Sequence, residues 1–152
     1  VTIALWDESM GVGVASIDRD HQILLGLINE IGESRNDPDG EHMVGRYIAL
    51  LVQYVEFHLS REEKMLEAVG YPGLEDHRAA HGILRDRSAR FLRQYQADLE
   101  ALNLEELELF LCDWWRHHIL EEDMAYRPFV IGNGAAEAAA NSIRFEAPDG
   151  DL

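Results

Sequence analysis

The sequence predicts an all-α protein: an antiparallel up-down-up-down four-helix bundle with an irregular N-terminal arm and a short C-terminal extension. Four long stretches place apolar residues at helical spacing. Turn-forming residues or short polar connections separate them. No stretch alternates apolar and polar residues as a half-buried strand does. Long helices joined by short connections pack as antiparallel neighbours.

Residues 1–17 have little periodicity and read as the arm, carrying Trp6, Gly11 and Gly13. Asp18 is expected to cap a first helix with the inward row Ile23, Leu24, Leu27, Ile28 and Ile31. Asn36-Asp37-Pro38-Asp39-Gly40 has the chemistry of a turn. A second helix is expected from about Glu41 to Val69, with Val44, Ile48, Leu51, Val52, Val55, Leu59, Met65 and Leu66 on its apolar row. Gly70-Tyr71-Pro72-Gly73 ends it. A third fits residues 74–98, turning Leu84, Phe91, Leu92 and Tyr95 inward. A fourth, from Leu104 to Tyr126, carries Leu107, Phe110, Leu111, Trp114, Trp115 and Ile119. Beyond Pro128 the chain changes character. Ala135 to Ala140 suits one short helix, and Arg144 to Leu152 reads as a tail or the start of a linker. The expected division is a bundle over residues 1–131 and an extension or linker over 132–152.

Composition narrows the function classes. With 47% hydrophobic residues in 152, the chain can bury a sizeable core. A net charge of −16 argues against nucleic acid and anionic membrane surfaces, which select basic patches. No apolar run approaches the roughly 20 residues that span a bilayer. The start, VTIALWDESMGVG, lacks the marks of a signal peptide. The one cysteine, Cys112, excludes an internal disulfide and reads as an apolar filler. A cytoplasmic location is the simplest expectation.

Chemistry enters with His21, then His58 and Glu62, then His77 and His81, then His118 and Asp123. Each expected helix contributes at least one of these potential metal ligands. His58/Glu62 and His77/His81 are four residues apart, which stacks both members on one helix face. A lone histidine on such a face is usually a core or boundary residue. Five imidazoles and two carboxylates spread over four helices of one bundle instead suit a metal site in its core. The step from His118 to Asp123 is five residues, a rotation of about 140° on an ideal helix. The two share a site only if the helix is distorted or Asp123 reaches in from an edge. Two six-coordinate ions offer roughly twelve positions; five imidazoles, two bridging carboxylates and one bridging oxide or hydroxide fill about eleven. Imidazole with carboxylate suits iron better than tetrahedral zinc. His42 and His117 are left over. Asp18 reads as a cap first and a partner of His21 second; Glu105-Glu106 and Glu121-Glu122 read as solvated faces.

At these residues the chain resembles the hemerythrin family in its bacterial form. The likeness runs through Trp6, Val12-Gly13, Ile17-Asp18, His21, Tyr54, His58, Glu62-Glu63, Gly70-Tyr71-Pro72, His77, His81, Trp114, His118-Ile119, Asp123 and Tyr126. The resemblance implies a four-helix bundle around a non-haem di-iron centre that binds O2 reversibly, as an oxygen carrier, store or O2-sensing domain rather than an enzyme. It implies His77, His81 and His118 on one iron and His21 and His58 on the other. Glu62 and Asp123, with an oxide or hydroxide, would bridge them. It also selects His118 over His117. Two positions depart from the usual pattern: Leu59 stands where phenylalanine is common and Trp115 where leucine is common. With Trp114 and Ile119 they would line the O2 pocket.

Rival readings are a di-iron oxidase or peroxidase, and a sensory module attached to a C-terminal signalling domain. The carboxylate-rich oxidase type uses Glu-x-x-His pairs, which this chain lacks. Val1 and the tail suit an excised domain and a stand-alone chain equally, and the sequence leaves oligomeric state open. A zinc protease is weakest, because His77-Arg78-Ala79-Ala80-His81 lacks the glutamate that follows the first histidine in that motif.

Overall fold

All four expected helical stretches are helices in the computed structural model, which describes residues 4–34, 37, 40–98 and 102–146. Helix α1 is Ala15–Ser34, α2 Gly40–Ala68 and α3 Leu74–Ala97. Helix α4, Leu104–Trp114, runs on as a π-helical stretch, Trp115–Glu122, and then as α5, Asp123–Val130. The fourth rod thus continues through Pro128, past its expected end. Helix α6, Gly134–Asn141, is the expected alanine-rich helix. No strand occurs among the described residues. Helix α1 packs on α2 and α4, and α2 on α3, to give a four-helix bundle. Among the described residues no helix is long and apolar enough to cross a membrane.

The ends of the helices follow local chemistry. Gly70 (φ 65°) closes α2: its N–H bonds Glu67 O at 3.1 Å, and Tyr71 N–H bonds Leu66 O at 3.0 Å. This paired closure needs a left-handed residue, where glycine carries no Cβ penalty. Asn103 and Asn133 cap α4 and α6 by accepting backbone N–H groups. Asp18 is not the cap that the sequence suggested. Helix α1 begins three residues earlier, and Asp18 reaches back to accept the amides of Val12 (2.7 Å) and Gly13 (3.2 Å). It ties the arm to the helix. Gly13 has φ 86°, and a Cβ there would lie 2.8 Å from Ile131, so both backbone and space demand glycine. Of the turn expected at 36–40, residues 36, 38 and 39 lie outside the described residues; Gly40 N–H bonds Asp37 O at 2.9 Å.

The apolar rows mostly point inward. Ile23 is the exception, 39% exposed, with Leu25 buried in its stead. Val52, Leu92 and Tyr95 pack partly buried against the core. Two apolar clusters result. The larger holds Leu24, Leu59 and Ile119; the smaller holds Ile17, Met65, Tyr126 and, from α6, Ala136 and Ala140. On three rods a candidate ligand marks the border between these clusters: His21 between Ile17 and Leu24, Glu62 between Leu59 and Met65, Asp123 between Ile119 and Tyr126. The bundle therefore sandwiches one polar layer between two dry ones. Past α6, Phe145 folds back onto Tyr54 and Phe57, with ring centroids 4.9 and 5.4 Å away. Residues 147–152 lie outside the described residues.

Candidate metal centre

The structure brings all seven candidate residues together, and all seven are buried. They form two groups of facing donor atoms. In one, Glu62 Oε1, His77, His81 and His118 lie with donors within 4.8 Å of one another. In the other, His21, His58, Glu62 and Asp123 do. The carboxylates divide their oxygens between the groups. Glu62 Oε1 touches His77 Nε2 and lies 3.2 Å from His81 Nε2, while Oε2 lies 3.5 Å from His58 Nε2 and 4.0 Å from His21 Nε2. Asp123 Oδ1 lies 3.3 Å from His118 Nε2 and 3.4 Å from His77 Nε2; Oδ2 lies 3.2 Å from His21 Nε2.

The five-residue step is resolved by the helix itself. Trp115–Glu122 is π-helical, and Asp123 N–H bonds His118 O, five residues back. Such bonding brings residues five apart onto one side of the rod, and single turns of it recur at functional sites. His118 and Asp123 thus face the same interior. The neighbouring His117 points outward, 64% exposed between Asp113 and Glu121.

The chemistry of this cage suits a cation. Both Asp123 oxygens, both His21 nitrogens and His58 Nε2 are buried without a hydrogen-bond partner. Orphaned buried polar atoms are rare and costly, above all on a carboxylate. Protons can satisfy the cage only in part. Burial pulls His77 down, but Glu62 and then Asp123 lift it to about 9. Burial raises Glu62, yet the bonds from His77 and His81 hold it well below the usual carboxylate range. Burial and the Glu62 charge push Asp123 up to about 7. Burial drives His21 down. Divalent ions among these atoms would displace the shared protons and partner the Asp123 oxygens and the inward nitrogens of His21 and His58, so the donors fit a metal pair.

The sequence profile of the Hemerythrin HHE cation binding domain matches residues 12–130. The chain belongs to the hemerythrin family. It is 30% identical over 129 residues to the bacteriohemerythrin of Clostridium acetobutylicum, covering 80% of this chain and 97% of that one. The bacteriohemerythrin of Stenotrophomonas maltophilia is 26% identical, over 83% of this chain and 80% of its own. The myohemerythrin of Riftia pachyptila is 25% identical, over 81% and 90%. In fold, the chain is similar to the crystal structure of a wild-type hemerythrin: TM-score 0.76, 24% identity, covering 84% of this chain and 98% of that one.

Around the cage stands a ring of partners that sequence reasoning missed. Glu63 holds His81 Nδ1 at 2.8 Å and is itself held by Arg85 at 2.9 Å. Glu122 holds His118 Nδ1 at 2.6 Å, so it is no idle member of a solvated face, although 49% exposed. His118 in turn keeps its carboxylate acidic. Asp20, not Asp18, is the partner on α1: it lies 3.2 Å from His58 Nδ1 and accepts from Tyr54 (2.8 Å) and Arg61 (3.0 Å). Tyr126 donates to Glu62 Oε2 at 2.9 Å. Such partners fix which imidazole nitrogen faces inward. The i,i+4 spacing of His118 and Glu122 was a readable signal. Asp20 and Arg61 meet across 41 residues of chain and left none.

Leu59, Trp115 and Ile119 are fully or almost fully buried, and Trp114 nearly so. Trp115 stands edge-on to His21, ring centroids 6.5 Å apart, and Trp114 stacks on His118 at 6.4 Å.

Proposed function

We propose that this chain binds O2 reversibly at two non-haem iron ions. His77, His81 and His118 hold one, His21 and His58 the other, and Glu62 and Asp123 give one oxygen to each. The division of both carboxylates between the two histidine groups carries this reading. Three imidazoles would hold one ion and two the other, which would leave more room for a further ligand on the two-histidine side. Bound there, ferrous ions would supply two electrons to a diatomic ligand.

The protein's own contribution is confinement. Leu59, Trp115 and Ile119, all buried, keep bulk water from the layer. Glu63, Glu122 and Asp20 orient the imidazoles, and Tyr126 fixes the Glu62 carboxylate. Carrying rather than turnover follows from a centre with few anionic ligands and no general acid in the apolar wall. The relatives named bacteriohemerythrin and myohemerythrin support the same reading.

The test combines metal analysis with optical spectra under argon and air. About two irons per chain and a spectrum that cycles with O2 are expected. One metal per chain, or a change that argon does not reverse, rejects the proposal.

A further inference from the structure

A cleft of about 700 Å³ lies apart from the metal layer, between the start of α1, the middle of α2 and the segment after α6. Its volume falls in the range of about 300–1,000 Å³ usual for small-molecule sites. Its lining inverts the charge of the molecule. The chain has 29 acidic and 13 basic residues, yet Arg19, Arg61 and Arg144 face one carboxylate here, Asp20. Asp20 is already engaged by Tyr54, Arg61 and His58.

Unmatched donors lie behind the wall. Arg61 is 8% exposed. Its Nη1 bonds Asp20 and Ser16 O, its Nη2 bonds Ile143 O at 2.6 Å, and its guanidinium lies 4.4 Å from the Phe57 centroid. Its Nε is buried with no acceptor, as is Ser16 Oγ on the same wall. Arg19 and Arg144 are exposed. Beside the charges, Tyr54, Phe57 and Phe145 make an aromatic surface.

We propose that this cleft binds a small organic carboxylate with a flat apolar body, and that its occupancy is felt at His58 through Arg61 and Asp20. Guanidinium groups match a carboxylate in charge and fork geometry. The three rings reward an apolar body, which inorganic anions lack. A carboxylate on Arg61 loosens that side chain's hold on Asp20, whose charge then falls more fully on the His58 N–H and makes the imidazole a stronger donor. The binding site stands on the cleft alone; only its link to the metal rests on the iron reading above.

Calorimetric titration of the full chain with benzoate tests the site. Saturable one-to-one binding is expected. Arg19→Ala/Arg144→Ala should weaken it at least tenfold, with melting temperature and iron content unchanged. No saturable heat, or equal affinity in the double variant, overturns the site. Inorganic phosphate binding as tightly as benzoate overturns the apolar-body assignment. Saturating benzoate should also shift the iron absorption bands of the parent and not of the double variant; unmoved bands in saturated parent protein overturn the link to His58. Calorimetry reads the cleft whether or not iron is present, so its failure and that of the iron reading stay distinguishable.

Discussion

The three-histidine and two-histidine halves of the centre share Glu62 and Asp123 but hold their imidazoles differently. In the first, His81 leans on Glu63, itself clamped by Arg85, and His118 leans on Glu122. In the second, His58 shares Asp20 with Tyr54 and Arg61 at a longer 3.2 Å, and His21 Nδ1 has no partner. In the first half two imidazoles of three lean on a carboxylate each, at 2.8 and 2.6 Å. In the second only one of two does, at 3.2 Å. On the proposed reading, an ion that accepts a ligand would change its coordination with every cycle, and the less pinned half is where that change would cost least.

The comparison can be broken most directly at what the halves share. Asp123→Ala should empty both, with bound iron falling at least tenfold by elemental analysis. One ion retained would mean that the carboxylate serves a single half. Next comes metal removal. Loss of ions bound about a thousandfold above their dissociation constants costs about 4 kcal/mol. For a chain of this length that is on the order of 10 °C in melting temperature. An unchanged melt after chelation would show that the cage is satisfied by protons alone. The outer partners then sharpen the contrast. Glu63→Gln and Glu122→Gln should weaken the ion of the three-histidine half, and Asp20→Asn the other, each by about 10–100-fold. Metal titrations that lose the same ion in all three variants would erase the distinction.

Trp115→Leu should change the autoxidation rate by a few-fold, since this ring stands beside His21; an unaltered rate removes Trp115 from the pocket. His117→Ala should be nearly silent, within about 0.5 kcal/mol in denaturant melts and with full iron content. A loss of iron there would mean that this exposed histidine takes part.

The rods were legible because apolar spacing reports a helix directly, as the rows through Val44 to Leu66 and Leu107 to Ile119 do. The seven donors were legible because each sits on such a row where an apolar residue belongs. Ile23 misled for the same reason: it has the period of the buried face but lies at its margin. What stayed hidden depended on tertiary contact. Asp20 and Arg61 each read as ordinary polar residues until α1 and α2 pack. Asp18 looked like a cap, but the helix begins earlier because Val14 O already accepts Asp18 N–H at 2.9 Å. The five-residue step implied a distortion, yet apolar period could not say what kind, because the π stretch keeps Trp115 and Ile119 buried as an α-helix would.

That stretch has a consequence for how this chain tolerates change. Were the rod to relax into ordinary α form at its present length, Asp123 would lie about 140° around the axis from His118, and its carboxylate would leave the interior face the two now share. Backbone register, and not only residue type, is therefore under constraint in this segment: a substitution that favours the regular helix would pull the cradle apart.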